Sequence, residues 1–537
     1  MIVVVFFIKE IRMSQLYVKN KKNNNLKVSV KARDYGVKSE ERLSRFLIMG
    51  ASGDYYAGQK QRTAESEMAV SSMLARNGVK AVEMAHRVSA AIPVRAVTND
   101  PAVYVVSRAL READTATREK ALSVYNEIVR TGSDFLHSAI TMSQSSTGGW
   151  RFSKRAMAGW LYQENAYFQA AKYFNRDGMN MRDALRLAHA TPRNQSEDVL
   201  FQWIASGLRI GNNQSLIEKI DSYEIKQEVK DFMLAVEFIR NADAESAVKL
   251  IQKYKLPWEV VPAGLKKDPY VSKAMFDNLP PHALLRSLAE YSARGTINGR
   301  NISGVTEKLL NIESMRNNRV HPFKVLVALM SYQRGRNDFN KTWAVYPQIV
   351  DALESLFHES FDAYIPHGKK VLIAVDDSAS MGSPSLSPII SSSQAAVAFA
   401  LTMAAREKNA TIVTFSDRVR ETAIPKRSSI IDAASKVCKM MSYTDCAAPI
   451  DWAFRNGMNF DAIVMLTDSV QNGVSTAAEA LSTYREKVNP NTKFFVAQFA
   501  NNNSKITNPD DLQSMTYSGF DTEILGVSKE FITGWDS

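Results

Sequence analysis

Three oxygen-bearing side chains alternate along one short segment in the C-terminal third of the sequence. Asp376, Ser378 and Ser380 occur in AVDDSASMG, directly after the apolar run Val371–Val375. A short apolar run rich in β-branched residues predicts a buried strand. In open α/β sheets, ligands bind at the carboxyl ends of the strands. The spacing therefore predicts a ligand site that presents one carboxylate and two hydroxyl groups.

Two further oxygen ligands are predicted to reach the same crevice. Asp468 follows the apolar run Ala462–Leu466 in VMLTDS, and Thr444 lies in the loop SYTDC. Two carboxylates and three hydroxyls make a hard oxygen site, which suits Mg²⁺ and matches soft metals poorly. We therefore predict a divalent cation site, suited to Mg²⁺, in which all five side chains are ligands.

Other chemistries for these residues have less support. A phosphoryl-transfer aspartate of the DxDx(T/V) type would need a carboxylate at Ser378, and the sequence contains no Walker A segment and no GxSxG elbow. Helix capping by a strand-end Asp or Ser is common for one residue, but it does not account for three separated segments. The seven histidines suggest no metal cluster and no partner for a nucleophile, so we expect no enzymatic activity.

A second candidate site consists of cationic side chains near the middle of the chain. Residues 151–190 contain seven Lys or Arg and three Asp or Glu side chains. The cations, with one histidine, form three sets at spacings of three, four or seven residues, which predicts that each set lies on one helical face. The sets are Arg151, Lys154 and Arg155; Lys172 and Arg176; and Arg182, Arg186 and His189.

Aromatic residues alternate with these cations and add stacking potential to a surface that would bind phosphates. They are Trp150, Trp160, Tyr167, Tyr173 and Phe174. RNA is favoured over duplex DNA as the ligand because no helix-turn-helix, basic zipper or finger pattern is present. The alternative at this point is a solvated charged face without a ligand.

Apolar spacing divides the elements that must position these residues into two regions. From about Glu40 to Leu356 the spacing is 3.6-periodic, which predicts amphipathic helices packed in pairs as an all-α array. Beyond Pro366, short apolar runs alternate with helical stretches, which predicts a doubly wound parallel α/β sheet. The boundary is predicted near Tyr364–Lys369 because Pro366 and Gly368 interrupt the preceding helix.

The charge of the 537-residue chain is unevenly divided between these regions. From Pro366 onward there are 16 of the 67 Lys and Arg residues and 18 of the 56 Asp and Glu residues, a net charge of −2. The preceding residues contain 51 basic and 38 acidic side chains, a net charge of +13. A phosphate-rich partner is therefore expected to contact the first region. The presence of only Cys438 and Cys446 excludes a disulfide framework and zinc fingers, and favours a reducing compartment such as the cytoplasm.

The start of the sequence contains an apolar run, Ile2–Ile8. Its seven residues are far fewer than the ~20 that span a bilayer, and Lys9 follows the run instead of preceding it. We expect neither a signal peptide nor a membrane anchor. Because Met13 opens a polar stretch, we expect natural translation to start there, with residues 1–12 upstream of it.

The predicted oxygen ligand set resembles the metal-ion-dependent adhesion site of von Willebrand factor A domains. In that family the serines and an aspartate ligate the ion directly or through water, and an open metal position can accept a carboxylate of a partner. This sequence departs from the pattern at Asp377 and Asp445, which we expect to add negative charge near the metal. The added charge would tighten cation binding and weaken capture of an acidic partner.

Segments of both regions occur in the order expected for the Ro autoantigen family, the TROVE-module RNA-binding proteins, and the resemblance spans about residues 40–535. The positions of Lys172, Arg176 and His189 match residues that help to bind Y RNA in that family. The segments are RLSRFLIMGASGDYY, RFSKRAMAGW, KYFNRDGMNMRDALRLAHATP, HPFKVLVALMSY, VLIAVDDSASMG, TDCAAPIDWA, VMLTDS and GFDTEILGV.

The resemblance implies an N-terminal extension over residues 1–39, a TROVE domain over 40–365 and a von Willebrand A-type domain over 366–537. It implies a ring of HEAT-like helical repeats closed by the second domain. Small Y-type RNA would bind the outer basic surface, and 3′ ends of misfolded noncoding RNAs would enter a central cavity. The protein would be a monomer that sorts RNA without cutting it, beside 3′-to-5′ exonucleases such as polynucleotide phosphorylase. The alternative is a metal-dependent protein-interaction scaffold for which RNA binding is incidental.

Overall fold

The structure is a computed structural model of the chain, and residue 39 is the first residue that it describes. Residues 1–38 of the predicted extension over residues 1–39, including Met13, therefore lie outside the described residues. The described ranges are 39–49, 59–90, 98–145, 148–211, 213–318, 320–337, 339–385, 389–421, 428–437, 443–468, 476–500, 506–508, 511, 513–518 and 524–534.

Helices dominate the described chain up to residue 363, as the 3.6-residue periodicity predicts. The helices are α1 (Ser39–Met49), α2 (Gln59–Ala90), α3 (Asp100–Glu112), α4 (Thr115–Ile128), α5 (Gly132–Gln144), α6 (Trp150–Leu161), α7 (Ala166–Lys172), α8 (Met181–Ala188), α9 (Gln195–Ala205), α10 (Gln214–Ser222), α11 (Gln227–Phe238), α12 (Ala244–Tyr254), α13 (Pro269–Asp277), α14 (Pro281–Ala293), α15 (Ile302–Leu309), α16 (Ile312–Asn317), α17 (Pro322–Gln333) and α18 (Pro347–Glu359). Neighbouring helices pack against one another along the chain, so the all-α array is confirmed.

A two-stranded hairpin interrupts the array between α7 and α8. Its strands are β1 (Asn175–Arg176) and β2 (Met179–Asn180), which pair antiparallel. Asp177 and Gly178 connect them with φ angles of 47° and 87°. An Asp-Gly dipeptide favours such a two-residue turn because both positions require positive φ. The prediction that Arg176 lies on a helix is therefore wrong.

The C-terminal region forms a six-stranded sheet in the order β5-β4-β3-β6-β7-β8. All neighbours are parallel except β5, which pairs antiparallel with β4 and forms one edge. The doubly wound α/β class is confirmed, with this edge strand as the departure from a wholly parallel sheet. The elements are β3 (Val371–Asp376), α19 (Ser392–Arg406), β4 (Ala410–Phe415), β5 (Val419–Arg420), α20 (Ile430–Val437), α21 (Ala448–Arg455), β6 (Ala462–Thr467), α22 (Ala477–Lys487), β7 (Lys493–Gln498), β8 (Ser514–Ser518) and α23 (Ile524–Thr533).

Strand β3 is buried on both faces of the sheet. Val371, Ile373 and Val375 belong to the core that also includes α19 and the helical array, whereas Leu372 and Ala374 belong to a second core with α21 and α22. This division follows from the two-residue period of a strand. A strand at such a position must be apolar throughout, and its first polar side chain appears at its carboxyl end.

Both ends of the helical array contact the C-terminal domain. Helix α1 packs against α23, and α17 together with the turn Ser360–Ala363 packs against α19. At the second contact, Arg406 donates to Asp362 over 2.7 Å, and Arg316 pairs with the same carboxylate. The contacts therefore form a closed circuit through the two domains, which agrees with the expected ring.

A buried carboxylate holds the segment between the two domains. Glu407, which follows α19, accepts hydrogen bonds from the backbone N–H groups of His367 and Gly368 over 2.7 and 3.0 Å, and from the Tyr364 hydroxyl over 3.1 Å. These bonds satisfy donors in the linker that packing would otherwise leave unpaired.

Among the described helices, none combines the length and the apolar character that crossing a membrane requires.

Gly132 allows three elements to meet at the start of α5. A Cβ atom at this position would lie 2.9 Å from the carbonyl oxygen of Gln169, from Tyr173 Cβ and from Met181 Cε. These atoms belong to the region of α7 and α8, so α5 approaches them more closely than any residue with a side chain permits. Glycine costs helix stability, and here close packing requires it.

We expect Gly132→Ala to lower the free energy of unfolding by about 1–3 kcal/mol, because overpacking outweighs the gain in helix propensity. Urea denaturation of the full chain measures the change. Gly159→Ala, within α6, is the matched control, since a Cβ there meets no described atom within 4 Å. An equal or positive effect of both substitutions would contradict the proposed close approach.

Candidate nucleic-acid interface and metal site

Helix α5 supports every element that carries the predicted RNA-binding residues. It contacts α6, α7, β1, β2 and α8. Its Phe135 ring stacks on Trp160 of α6, with centroids 4.1 Å apart and an interplanar angle of 8°. Trp160 is only 2% exposed and donates to the Val129 carbonyl over 2.9 Å. The expectation that Trp160 offers its ring to RNA is therefore wrong, because the ring is part of the core.

Helix α6 separates a buried face from a cationic face. Met157 and Trp160 are buried, whereas Arg151 and Arg155 are exposed and Lys154 is half-buried. Within the described chain, none of these three cations has an ion-pair partner. The helical placement of this set agrees with the prediction from its spacing.

The second predicted set lies at the end of a helix and on the hairpin, not on one helical face. Lys172 is the last residue of α7, and its ammonium lies 5.2 Å from the centroid of the Tyr173 ring. Arg176 lies on β1, and its Nε donates to the Ser133 hydroxyl over 3.3 Å. The Asp177-Gly178 dipeptide is a sequence signal for a two-residue turn, and it could have identified this hairpin from the sequence.

The third set lies on and just after α8. Arg186 is 73% exposed and lies 3.6 Å from the Asp183 carboxylate, a distance at which an exposed pair contributes little. His189 is exposed and ends the helix with a φ of 47°. Arg182 is half-buried, and its guanidinium packs against Gly207. A Cβ atom at Gly207 would lie 2.8 Å from Arg182 Nη2.

Taken together, the eight predicted residues are exposed or half-buried, and the described residues supply an ion-pair partner for Arg186 alone. Their charge is therefore largely uncompensated by the protein. The structure brings all three sets onto elements that pack around one helix. Their role in binding RNA stays a prediction.

His137 of α5 links the hairpin to the array, and no motif in the sequence had pointed to this residue. Its Nε2 lies 2.8 Å from Asp177 of the hairpin turn, and its Nδ1 lies 3.2 Å from Asp100 at the start of α3. Burial lowers the pKa of His137, but the hydrogen bonds and charges of the two carboxylates outweigh it, so the pKa lies above 6.5. The His137 ring therefore joins the hairpin turn, which follows Arg176, to the start of α3.

Three predicted metal ligands, Asp376, Ser378 and Ser380, lie at the end of β3 and just after it. Thr444 lies in the loop before α21, and Asp468 follows β6. The backbone N–H of Ser378 donates to Asp376 Oδ1 over 2.9 Å, and the hydroxyls of Ser378 and Ser380 lie 3.0 Å apart. Thr444 and Asp468 are buried. The loop of Thr444 is joined to the end of β4 by a 2.7 Å bond between the backbone N–H of residue 445 and the Ser416 carbonyl.

Electrostatics indicate that these segments converge. Burial, together with the charge of Asp468, raises the pKa of Asp376 to about 6. Burial and the carboxylates of Asp376, Asp445 and Asp468 also raise the pKa of the Cys446 thiol. Two buried carboxylates close to each other, with hydroxyls beside them, form a donor set that a hard divalent cation fits.

Asp377 differs from what the sequence suggested. Its buried carboxylate accepts from Arg420 Nη1 over 3.1 and 3.3 Å. The same guanidinium also bonds Asp417 and Ser416. Arg420 on the edge strand β5 therefore balances the negative charge that Asp377 was expected to add near a metal, and the effect of that charge on cation binding stays a prediction.

Asp445 also has a structural contact, since its Oδ1 accepts from the backbone N–H of Ala447 over 2.9 Å. The described residues contain no group of three or more His, Cys, Asp and Glu side chains that could hold a metal. The predicted site depends on hydroxyl ligands instead, and its occupancy stays a prediction.

We expect the pH dependence of stability to reveal the charged state of His137. A pKa raised by folding stabilises the native state fully below pH 6.5, and this contribution disappears as the pH rises through the folded pKa. His137→Gln should therefore lower the free energy of unfolding by about 1–3 kcal/mol at low pH and by less at alkaline pH. Urea denaturation across this range provides the measurement. A difference that does not vary with pH would show that the ring is neutral when folded.

The chain resembles known proteins over most of its length. The family model described as "TROVE domain" matches residues 30–348, and the model described as "Ro60 vWA domain" matches residues 370–532. A protein named RNA-binding protein RO60 from Deinococcus radiodurans is 29% identical over 93% of this chain and 94% of its own length. A protein of the same name from Caenorhabditis elegans is 26% identical, over 93% and 89%.

A solved structure agrees with these sequence matches. The crystal structure of the Deinococcus radiodurans RO (RSR) protein superimposes with a TM-score of 0.76 at 26% identity, and the match covers 93% of this chain and all of that one. The TROVE match alone spans more than half of the 537 residues, and the vWA match follows it in the same order. The chain therefore belongs to the Ro family of RNA-binding proteins, with a TROVE domain followed by a von Willebrand factor A domain.

Proposed function

We propose that this protein binds small noncoding RNA of the Y type on the basic surface around α5. The observation that carries the proposal is the set of cations on α6, α7, the hairpin and α8, which all contact one supporting helix and have little compensating negative charge. Such a surface gains affinity by releasing counterions from phosphates. The name RNA-binding protein, printed for two relatives, supports the same ligand class.

We further propose that 3′ ends of misfolded noncoding RNAs enter a cavity within the ring, and that the protein delivers RNA to 3′-to-5′ exonucleases such as polynucleotide phosphorylase. The family resemblance and the closed circuit of contacts between the domains support this role. In this proposal the protein is a cytoplasmic monomer that binds and sorts RNA and does not cleave it.

The von Willebrand A domain has a different part in the proposal. A divalent cation such as Mg²⁺ would be held by Asp376, Ser378, Ser380, Thr444 and Asp468. The bound ion would offer a coordination position that a partner's carboxylate can occupy. The second candidate function, a metal-dependent protein-interaction scaffold, follows from this site alone. It differs from the first because it makes RNA binding incidental.

Charge reversal tests the RNA-binding surface. Lys172→Glu with Arg176→Glu should weaken binding of a Y-type RNA more than about tenfold at ~150 mM salt, because two phosphate contacts become repulsive. Filter binding across a salt series gives the affinity, and circular dichroism verifies that the helical content is unchanged.

The matched control reverses Lys249 and Lys273, which lie on α12 and α13 and pair at i,i+4 with Glu245 and Asp277. The control changes net charge equally but leaves the surface around α5 intact, so affinity should stay within a few-fold of wild type. Equal loss in both double variants would indicate nonspecific attraction, and no loss in either would reject the proposed surface.

Removal of a carboxylate tests the metal site. Asp376→Asn should lower the affinity for Mg²⁺ at least about tenfold, because one charged ligand of the ion becomes neutral. Calorimetric titration with Mg²⁺ measures this loss. Asp432→Asn, at an exposed position on α20, removes a carboxylate that is not a predicted ligand and is the control. Unchanged RNA affinity in Asp376→Asn agrees with both candidate functions, whereas its loss would indicate a site that couples metal binding to RNA binding.

A further inference from the structure

The cationic face of α6 continues as a row beyond its two arginines. Arg151, Arg155, Gly159 and Tyr162 follow one another at intervals of four, four and three residues. This spacing places them on one face of a helix. Tyr162 ends α6 with φ −84° and ψ 0°, so the helical geometry still applies to it. Both arginines are exposed.

Gly159 leaves a gap in this row. A Cβ atom built there would meet no described atom within 4 Å. The adjacent positions in the row are Arg155 on one side and Tyr162 on the other, about 10 Å apart along the helix axis. A glycine inside a helix reduces its stability. The Asn126 amide donates to the Gly159 carbonyl over 3.5 Å, but a carbonyl of any residue could accept this bond, so it does not explain the glycine. The row therefore leaves open space above Gly159, here called the groove, with a cation at one end.

An arginine covers the aromatic ring at the other end. Arg193, which precedes α9, places its Cζ 3.6 Å from the centroid of the Tyr162 ring. The Tyr162 hydroxyl donates to the Thr191 carbonyl over 2.9 Å, which fixes the ring to the linker that carries Arg193. The Arg193 side chain is 57% exposed. One face of its guanidinium thus lies on the tyrosine, and much of the group remains open to solvent.

Glu197 holds this guanidinium in a fixed plane. Its carboxylate accepts from Arg193 Nη2 over 2.6 Å and from Nε over 3.1 Å, and also from the Arg193 backbone N–H over 2.7 Å. Although burial raises the pKa of Glu197, the bonds from Arg193 outweigh it and the pKa lies below 4.5. Because this carboxylate compensates the charge of Arg193, the group is better suited to stacking than to phosphate binding.

We propose that the groove over Gly159 binds one unpaired nucleotide of RNA, whose base stacks on the guanidinium of Arg193 and whose phosphate contacts Arg155. This inference rests on the proposed function and adds a subsite to it. Unpaired bases in RNA commonly stack on guanidinium planes, and duplexes cannot offer them. A protein ligand is disfavoured because the row carries cations without compensating carboxylates, which favours a polyanion.

Filling the groove tests the site without disturbing the fold. Gly159→Met adds a side chain where the structure has space, and it replaces a poor helix former with a good one, so the melting temperature should not fall. Affinity for a short single-stranded RNA should fall roughly 5- to 100-fold, the range expected for one lost base stack. Gly304→Met, at a similarly open position on α15, is the matched control and should bind as wild type does.

A charge-preserving substitution tests the stacking surface itself. Arg193→Lys retains a cation beside Glu197 but loses the planar guanidinium. It should therefore lower the affinity for single-stranded RNA to a similar extent while leaving the salt dependence of binding unchanged. With 2-aminopurine in the RNA, the fluorescence quenching caused by wild type should be lost. Arg155→Lys, which retains a phosphate contact, should leave the quenching intact. An RNA with an abasic site should bind wild type and Arg193→Lys equally.

The outcomes separate the two proposals. If wild type binds no RNA at any salt concentration, the proposed function fails. If wild type binds RNA with the expected salt dependence, but Gly159→Met and Arg193→Lys bind and quench as wild type does, the nucleotide subsite alone is rejected. A protein or peptide competitor that displaces RNA from wild type but not from Gly159→Met would also overturn the assignment of this groove to a nucleotide.

Discussion

The close packing of α5 is the constraint on which the candidate RNA surface depends. The helix is buried along most of its length, and α6, α7, the hairpin and α8 all contact it. Helices α6, α7 and α8 and the hairpin carry the cations of the predicted surface. If α5 shifted, the three sets of cations would lose their common support. Its first residue must be glycine because neighbouring chain atoms occupy the space that a Cβ would need.

Buried polar contacts define how the elements meet, and apolar packing supplies the bulk of the contact area. His137 joins α5 to α3 and to the hairpin turn, and Arg176 donates to Ser133 one turn earlier on the same helix. Apolar contacts alone tolerate small rotations between helices, whereas a ring bonded to two carboxylates restricts them. This network therefore holds the hairpin, and with it Arg176, in one position on α5.

The two domains use charge in opposite ways. In the TROVE domain the cations of α6 have no ion-pair partners among the described residues, so their charge is available to a polyanion. In the von Willebrand A domain the carboxylates are buried, and the basic Arg420 is used to balance Asp377 next to the predicted ligands. The first arrangement favours a phosphate ligand, and the second favours a cation held by Asp376 and Asp468. The net charges of the two regions agree with this division.

Periodicity in the sequence determined the two fold classes and the ends of the buried strands. Val371–Asp376 and Ala462–Thr467 had to be strands because they are apolar on both faces, and their first polar residues had to appear at the carboxyl edge. The same reasoning placed Arg151 and Arg155 on the outer face of α6. These features depend on local spacing, which a single sequence records.

Tertiary structure alone decided which side chains remain available. Trp160 and Arg193 are both near the predicted surface, but the first is buried against Phe135 and the second lies exposed on Tyr162. Likewise, Asp377 has its charge balanced by a residue 43 positions later. Such outcomes depend on contacts between residues distant in sequence, and no local pattern records how two helices pack or which charges they bring together.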